Sequence, residues 1–362
     1  MKNKRVLTAM SGGVDSSVAA AILKASGYEV IGATMKIWPK ELCGLEKEKA
    51  CCSLKDIEDA RKVCGKLGIR HYVLDLEKDF KKHVIDYFAD EYFSARTPNP
   101  CIVCNEKIKF GSLLKKAESL DCDFIATGHY ARIEHDSVSR LREAVDKTKD
   151  QSYVLFSLKQ SQLRKILLPL GDLTKNEARL EAKELGLGVH DKPDSQEICF
   201  IPDNDYSAFI KKYRGIKPHR GDIIDRSGKT LGHHMGFWNF TIGQRRGLGI
   251  AAREPLYVIE IRPGKNIIVV GYADEVKSKK FLVEKVNWLT EDIKKKKELE
   301  VKIRYNHKKA RASVKELGRG RAEVSFKEPQ NAITPGQAAV FYDGEYVAGG
   351  GWIAKVTFKT VS

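Results

Sequence analysis

A short turn rich in serine and glycine is the stretch of this sequence best suited to chemistry. Residues 9–17 read AMSGGVDSS; they follow the apolar pair Val6-Leu7 and lead into an alanine-rich run. This pattern predicts a strand, a tight turn and a helix. Glycines allow close approach to a ligand, and the open N–H groups at a helix N-terminus bind anions, phosphate above all. The turn contains no lysine and lacks the Gly-Lys-Ser/Thr ending of a Walker A loop, so it predicts a phosphate site of another kind.

Cysteines form the second group of candidate residues, and the sequence contains eight. Cys101 and Cys104 lie in RTPNPCIVCNEKIKFG, residues 96–111. The two prolines predict an extended loop around Cys101, with Cys104 near the start of a new helix. A helix N-terminus and the nearby lysines favour the reactive thiolate. Cys199 follows a polar turn in a short apolar patch, a setting that by itself is typical of an inert buried cysteine.

Alternating strands and helices predict the framework that positions these residues. Strands are expected at 29–37, 71–76 and 123–127, with amphipathic helices between them, which indicates a doubly wound parallel α/β sheet. Ligands bind such sheets at the carboxyl ends of the strands. A capping box at Thr174-Lys175-Asn176-Glu177 starts a later helix.

Beyond Pro202 the sequence changes to glycine and short β-rich runs. They predict a small β-rich central domain and then a C-terminal β-barrel, with strands at 301–305, 322–326, 338–342 and 352–356. We therefore expect three domains, at residues 1–205, 206–278 and 279–362.

Composition limits the partners and the compartment. The 362 residues carry a formal net charge of +16, which favours a polyanionic partner but does not separate RNA, DNA and a membrane surface. No apolar run approaches the roughly 20 residues of a membrane span, and the N-terminus leads directly into a strand instead of a signal peptide. We expect a cytoplasmic protein without a membrane partner. Its cysteines are then expected as thiols, metal ligands or transient redox partners, not as a disulfide framework.

The turn matches S-G-G-x-D-S-S and resembles the PP-loop ATP pyrophosphatases, which have an adenine nucleotide α-hydrolase-like fold, cleave ATP between its α and β phosphates and adenylate a substrate. A lone Gly-Gly pair often only joins a strand to a helix, but the seven-residue match in this context favours phosphate binding. Further motifs occur in order along the whole chain and resemble the bacterial tRNA-specific 2-thiouridylases. They are Pro98-Asn99-Pro100 with Cys104-Asn105, Gly128-His129-Tyr130, Asp150-Gln151-Ser152-Tyr153, Ser195 with Cys199-Phe200-Ile201, Gly243-Gln244-Arg245-Arg246-Gly247 and Thr334-Pro335-Gly336-Gln337.

This resemblance implies an enzyme that replaces oxygen by sulfur at position 2 of the wobble uridine in tRNAs for Lys, Glu and Gln. ATP transfers AMP to the uracil oxygen, and Asp15 helps to hold Mg²⁺ and the phosphates. Cys199 carries the sulfur as a persulfide, supplied by a sulfur-donating protein relay or a cysteine desulfurase, and Cys104 resolves it through a transient disulfide bond. The implied ATP-binding residues are Ala9, Met10, Ser11, Gly12, Gly13, Val14, Asp15 and Ser16, with Met35 and Gly128 beside the adenine and ribose.

The resemblance also implies a tRNA-binding surface. Its residues are Asn99, Pro100 and Cys101 facing the target base, Asp150, Gln151 and Ser152, Arg304 and Tyr305, and His129 with Gln337. Arg304 belongs to a basic cluster with His307, Lys308, Lys309 and Arg311, as expected of a phosphate-binding surface.

One departure from the family leaves the sulfur chemistry open. Many members have Asp where this chain has Cys101, so Cys101, Cys104 and Cys199 offer an alternative three-thiolate site for an iron–sulfur cluster. Zinc fits less well because a structural site takes four ligands, and the spacing of Cys43, Cys51 and Cys52 matches no standard site.

Two other classes of protein explain part of the sequence. A PP-loop ligase or amidotransferase that adenylates a small molecule would explain the turn but not the cysteines or the basic C-terminal part. A non-enzymatic RNA-binding protein would explain the charge but not the turn.

Overall fold

The computed structural model describes residues 4–38, 54–193, 198–201, 204–291 and 298–357. The chain divides into two compact units, which are described separately. The first comprises Met1–Ile85, Pro100–Asn204 and Glu345–Val347, and the second comprises Asp86–Asn99, Asp205–Gly344 and Ala348–Ser362. The three domain boundaries drawn from the sequence stay predictions.

The first unit contains a parallel five-stranded sheet. Its strand order is β3-β2-β1-β4-β7, and each neighbouring pair is parallel. The sheet strands are β1 (Arg5–Ala9), β2 (Glu29–Lys36), β3 (Arg70–Asp75), β4 (Phe124–Ala126) and β7 (Ile166–Leu167). Two further strands, β5 (Ala131–His135) and β6 (Ser139–Glu143), lie between β4 and β7 in the chain and pair with each other outside this sheet. The helices of this unit are α1 (Val14–Ala25), α2 (Leu54–Lys66), α3 (Glu77–Phe80), α5 (Pro100–Val103), α6 (Leu113–Ser119), α7 (Gln160–Leu163) and α8 (Lys175–Glu184). Helix α4 (Asp86–Phe93) lies between α3 and α5 in the chain and belongs to the second unit. This arrangement confirms the predicted α/β layout.

Small apolar residues bring α1 close to the sheet. Val18, Ala19 and Ala20 are fully buried in one cluster with Val6 of β1. Alanine favours the helix and leaves room for the strands beneath it. The turn between β1 and α1 is thus held between two rigid elements.

Two details of the first unit differ from the sequence prediction. Cys101 does not lie in an extended loop, because helix α5 begins at Pro100 and continues through the π-helical segment Cys104–Ser112 into α6. Proline is well suited to the first helical position, where its missing N–H costs nothing, and Asn99 before it is a residue type favoured at helix N-caps. The antiparallel hairpin β5–β6 lies in the charged stretch that follows β4 and was not expected there.

The second unit contains a four-stranded sheet and a barrel. The sheet has the order β10-β11-β8-β9. Helix α4 belongs to this unit: Phe88 and Tyr92 on its face are buried, and they pack on Phe209 and Tyr206 of helix α9 (Tyr206–Arg214). The sheet strands are β8 (Gly221–Ile224), β9 (Thr230–His234), β10 (Tyr257–Arg262) and β11 (Ile267–Gly271).

Six strands form the predicted C-terminal barrel. Their order is β12-β15-β14-β13-β16-β17, and pairing between β12 and β17 closes the barrel. Phe281, Phe326 and Phe341 fill its interior. The strand expected at 301–305 lies earlier, so Arg304 and Tyr305 follow it in a loop. The barrel strands are β12 (Lys277–Trp288), β13 (Glu298–Lys302), β14 (Ala310–Gly318), β15 (Arg321–Asn331), β16 (Ala338–Asp343) and β17 (Tyr346–Thr357).

No helix in the described ranges combines the length and the apolar character needed to cross a membrane.

Candidate active site

The turn after β1 leaves the start of helix α1 open to a ligand. Gly12 has φ +72°, and Gly13 is the N-cap residue, which supplies no side-chain cap to the helix. The first N–H groups of a helix have no partner within the helix. A Cβ atom on Gly12 would lie 2.3 Å from the carbonyl oxygen of Asp56, so only glycine fits. The turn therefore has the open backbone donors that a phosphate group needs.

The three serines of the turn have different positions. Ser17 Oγ donates to the carbonyl oxygen of Gly13 at 2.8 Å, and Ser16 Oγ donates to the same oxygen at 3.2 Å. Ser16 also accepts the backbone N–H of Ser11, at 3.2 Å. Ser16 and Ser17 are buried, whereas Ser11 is exposed. Ser16 and Ser17 hold the turn in shape. Ser11 is the exposed serine of the three, and its hydroxyl lies 3.1 Å from that of Ser16.

Asp15, in the first turn of α1, is held by residues from two distant parts of the chain. Tyr130 Oη donates to Asp15 Oδ1 at 2.8 Å, and Lys175 Nζ donates to Oδ1 and Oδ2 at 2.8 and 2.9 Å. A Cβ atom on Gly128 would lie 2.7 Å from the carbonyl carbon of Asp15 and 2.8 Å from the N atom of Ser16. The structure thus brings Gly128 and Asp15 together, as the family resemblance implies for an ATP site.

The remaining predicted ATP-binding residues lie at the same edge of the sheet. Ala9 ends β1 and pairs with Ala33 of β2, two positions before Met35. The N–H of Met10 donates to the carbonyl oxygen of Ala33, and the side chains of Met10 and Val14 are buried. Met35 is half-buried near the end of β2. Met10 and Val14 therefore support the turn from inside.

Two lysines that are distant in sequence lie near the turn, and no local sequence pattern predicts them. Lys175 begins α8, and its side chain lies against Asp15. Lys192 Nζ donates to the carbonyl oxygen of Gly12 at 2.9 Å and forms ion pairs with Asp56 and Asp59. The capping box at Thr174 signals the start of a helix, but nothing local signals which residues it faces.

His129 is buried, and its imidazole is bonded on both sides. Lys109 Nζ lies 3.3 Å from Nε2, and Thr127 Oγ1 lies 2.7 Å from Nδ1. An ammonium can only donate, so Nε2 accepts and Nδ1–H donates to Thr127. Burial and the charge of Lys109 hold the pKa of His129 well below its usual 6.5. This histidine is a neutral internal group that holds Lys109, and its contact with tRNA stays a prediction.

The predicted tRNA-contact segment at 150–152 faces the protein interior. Asp150 is buried; it accepts the N–H of Ala144 at 3.0 Å and the hydroxyl of Ser152 at 2.9 Å, and burial raises its pKa. Gln151 Oε1 accepts the backbone N–H of Tyr130 at 3.0 Å. These side chains brace the segment that carries Tyr130 to Asp15, and their contact with tRNA stays a prediction.

The cysteines of the two predicted motifs are accessible to different degrees. Cys101 is exposed, and Cys104 and Cys199 are half-buried. Burial raises the pKa of Cys64 and of Cys122 to about 11, which marks both as inert thiols. Cys43, Cys51 and Cys52 lie outside the described residues.

Helix α3 provides an anchor shared by the two cysteine segments. Ser112, at the end of the π-helical segment that begins with Cys104, bonds to Asp79 of α3. Phe200, next to Cys199, packs edge-to-face on Phe80 of α3 with ring centroids 5.7 Å apart. The meeting of the Cys104 and Cys199 thiols stays a prediction. Within the described ranges, no three His, Cys, Asp or Glu side chains are arranged to hold a metal ion.

In the second unit, Gln337 holds the segment that leads to Asn99 and Pro100. Its Nε2 donates to the carbonyl oxygens of Thr97 and Pro98, at 3.0 and 3.3 Å. Gln337 therefore fixes the approach to the predicted base-facing residues.

Arg304 and Tyr305 lie in the loop after β13. Arg304 donates to the carbonyl oxygen of Asn331 at 2.8 Å, and Lys302 Nζ lies 5.4 Å from the centroid of the Tyr305 ring. Tyr305 is exposed. The loop thus combines positive charge with an accessible aromatic ring.

Comparison with protein families finds three models in succession along the chain. They are a tRNA methyl transferase HUP domain at residues 4–203, a tRNA methyl transferase PRC-barrel domain at 207–272 and an aminomethyltransferase beta-barrel domain at 278–353.

Curated proteins match over nearly the whole chain. The tRNA-specific 2-thiouridylase MnmA of Carboxydothermus hydrogenoformans is 51% identical over 358 residues, which cover 97% of this chain and 98% of that protein. That of Halothermothrix orenii is also 51% identical, over 96% of this chain and 98% of its own length. The tRNA-specific 2-thiouridylase MnmA 2 of Caldanaerobacter subterraneus is 50% identical, over 98% and 99% respectively.

Proposed function

Because the chain belongs to the family of the tRNA-specific 2-thiouridylases, we propose that it is an ATP-dependent tRNA-uridine 2-sulfurtransferase. The observation that carries this proposal is the open turn at residues 11–17 with Asp15 held against Gly128, together with two accessible cysteine motifs. The turn suits the triphosphate of ATP, and the cysteines suit transfer of sulfur. The target is the wobble uridine of tRNAs for Lys, Glu and Gln, and the location is the cytoplasm.

The first step is adenylation of the uracil. The O2 atom of the base attacks the α-phosphorus of ATP, the P–O bond to the β-phosphate breaks, and pyrophosphate leaves with the bonding electrons. The N3 proton of the base is released to solvent. The turn would bind the phosphates, and Asp15 would supply an oxygen ligand to Mg²⁺, which would neutralise phosphate charge. Adenylation converts a poor leaving group into AMP.

The second step transfers sulfur. The terminal sulfur of a Cys199 persulfide attacks C2 of the base, and AMP leaves with the electrons of the C–O bond. The Cys104 thiolate then attacks Sγ of Cys199, which breaks the persulfide S–S bond and leaves the outer sulfur on C2. N3 regains a proton to give 2-thiouridine. A thiol reductant afterwards returns the Cys104–Cys199 disulfide to two thiols, and a sulfur-donating protein relay or cysteine desulfurase reloads Cys199.

Methyl transfer, as the names of the matching family models suggest, is a poorer account of this site. A methyl group taken from an activated donor needs neither a pyrophosphate-binding turn nor a pair of cysteines. A small-molecule PP-loop ligase also leaves the cysteines without a role. Both alternatives predict that tRNA thiolation is absent.

The experiment is single-turnover thiolation of tRNA by protein purified without oxygen, with iron and labile sulfide measured on the same samples. Wild type, Cys101→Asp and Cys199→Ser are compared, with Cys122→Ala as a control for loss of an inert thiol. The persulfide route predicts little iron, an active Cys101→Asp variant and no thiolation by Cys199→Ser. Stoichiometric cluster that is lost with activity in both variants would instead assign the three cysteines to an iron–sulfur site.

Pyrophosphate release separates the two steps of the proposed reaction. We expect Cys199→Ser to release pyrophosphate in the presence of tRNA but to make no thiouridine. Asp15→Asn should lose both pyrophosphate release and thiouridine formation, because Asp15 acts in the adenylation step, which precedes sulfur transfer. ATP cleavage that is independent of tRNA in the wild type would favour the small-molecule ligase.

A further inference from the structure

The ion pair between Asp15 and Lys175 lies at the centre of the open turn. The Lys175 side chain is only 9% exposed, and that of Asp15 is 33% exposed. The two residues are 160 positions apart, and the ammonium lies within 2.9 Å of both carboxylate oxygens. Removing an ammonium from water is costly, and the Asp15 carboxylate offsets this cost for Lys175.

The start of helix α8 fixes Lys175 in this position. Thr174 caps the helix: its hydroxyl accepts the N–H of Glu177, and Glu177 reaches back to the N–H of Thr174 at 2.7 Å. The backbone N–H of Lys175 donates to Asp146 Oδ2 at 3.1 Å. Asp146 is itself held by the N–H and hydroxyl of Thr148. Hydrogen bonds to the backbone N–H groups of Thr174 and Lys175 therefore fix the position from which the Lys175 side chain reaches Asp15.

The turn itself lacks the lysine that a Walker A loop carries. A bound triphosphate brings several negative charges, and more charge develops on pyrophosphate as it leaves. Mg²⁺ prefers carboxylate oxygens. Asp15 and Lys175, which pair with each other here, can therefore each exchange the other for a ligand group of opposite charge.

We propose that Lys175 is the phosphate-binding lysine of this site, supplied by α8 instead of by the turn. In this role the Lys175 ammonium binds oxygens of the β- and γ-phosphates of ATP, and Asp15 would be available as an oxygen ligand for Mg²⁺. The ammonium then stabilises pyrophosphate as the bond between the α-phosphorus and the bridging oxygen breaks. Tyr130 keeps its hydrogen bond to Asp15 and holds the carboxylate in place. This inference rests on the proposed function, since it assigns a residue to the ATP step.

The competing explanation is that Lys175 only neutralises Asp15. The two explanations differ in which nucleotides depend on the lysine. A lysine that binds the β- and γ-phosphates contributes to ATP binding and not to AMP binding. A lysine that only maintains the turn affects both nucleotides alike.

The test is calorimetric titration of ATP and of AMP, each with Mg²⁺ and without tRNA, into wild type, Lys175→Gln and Lys175→Arg. The matched control is Lys165→Gln, which removes a lysine from an exposed ion pair with Glu118. We expect Kd for ATP to rise at least tenfold in Lys175→Gln, about 1.4 kcal/mol of binding free energy, while Kd for AMP changes less than twofold. The control should match the wild type for both nucleotides.

Equal loss of ATP and AMP binding in Lys175→Gln, or no loss of either, overturns the assignment. If Lys175→Gln does not fold, Lys175→Arg decides, because it keeps the positive charge on a side chain of different shape. A several-fold rise in Kd for ATP without a rise in Kd for AMP supports the assignment. An unchanged ratio of the Kd for ATP to the Kd for AMP overturns it. A wild type that binds no ATP overturns both this inference and the proposed function. Lysine-dependent ATP binding without tRNA thiolation overturns only the proposed function.

Discussion

Burial and the neighbouring Lys109 ammonium both lower the pKa of His129. Both disfavour the imidazolium and keep its pKa well below 6.5 in the folded chain. The neutral ring accepts a hydrogen bond from Lys109, whose segment also carries Cys104. A histidine whose charge does not change near neutral pH holds that lysine in one position during the reaction.

This environment makes stability depend on pH through His129. In the unfolded chain the imidazole titrates at about 6.5, so below that pH the unfolded state binds a proton that the folded state does not. The free energy of unfolding therefore falls as pH drops, by up to about 1.4 kcal/mol per pH unit from this group. We expect urea unfolding of the wild type to lose more stability between pH 7.5 and 5.5 than that of His129→Gln. Equal losses would contradict a neutral buried histidine.

Gly128 leaves no room for a side chain beside Asp15. An alanine Cβ would meet backbone atoms of Asp15 and Ser16, which cannot rotate away. We expect Gly128→Ala to cost about 1–3 kcal/mol of stability and to raise Kd for ATP more than tenfold by displacing the start of α1.

The control for Gly128→Ala is Gly65→Ala in helix α2, where nothing lies within 4 Å of the added Cβ. We expect it to leave ATP binding unchanged and to raise stability by up to about 1 kcal/mol through helix propensity. Thermal unfolding and nucleotide titration measure both effects. Normal ATP binding by Gly128→Ala would show that the turn adapts and that Gly128 is not needed for close approach.

At the scale of the elements, the capping box of α8 links local stability to the ATP site. Loss of the Thr174 hydroxyl costs about 1 kcal/mol at a helix N-cap. Because the next residue is Lys175, we expect Thr174→Ala to lower the unfolding temperature and to weaken ATP binding several-fold. Thr174→Ser keeps the hydroxyl and should resemble the wild type in both measurements. Weakened ATP binding in both variants would mean that the cap is not the cause.

The β1–α1 region is predictable because all of its signals are local. The apolar strand, the two glycines and the alanine-rich helix follow one another within about twenty residues, and the structure contains each element at its expected place. Lys175 is not predictable in the same way, because its contact with Asp15 depends on how α8 packs and not on any neighbour in sequence.

Strand β12 and the helix that contains Cys101 are also not predicted from the sequence, each for a local reason. Strand β12 begins KSKKF, and its pairing with β15 is interrupted by a register shift between Ser278 and Lys280, so no clean alternation of apolar and polar residues marks it. At Cys101, the two prolines predict an extended loop, but Pro100 occupies the first helical position, where proline favours a helix.

For the whole molecule, the excess of positive charge makes the interaction with tRNA sensitive to salt. A protein that neutralises phosphates releases counterions, so the logarithm of the binding constant falls linearly with the logarithm of salt concentration. Net charge contributes to the affinity at long range, whereas each direct contact between a cationic side chain and a phosphate adds to the slope. Arg304 lies in the loop after β13 and donates to the carbonyl oxygen of Asn331.

We expect Arg304→Gln to reduce the slope of tRNA affinity against salt by about 1, the change for one lost phosphate contact. Filter binding at several KCl concentrations measures this slope. Lys315→Gln removes the same net charge from strand β14, where Lys315 pairs with Glu323 of β15, and should leave the slope near that of the wild type. If both variants reduce the slope equally, net charge explains the effect, and Arg304 makes no direct contact with a phosphate. If Arg304→Gln keeps the wild-type slope, the loop after β13 is not part of the tRNA-binding surface, and other basic residues provide the affinity.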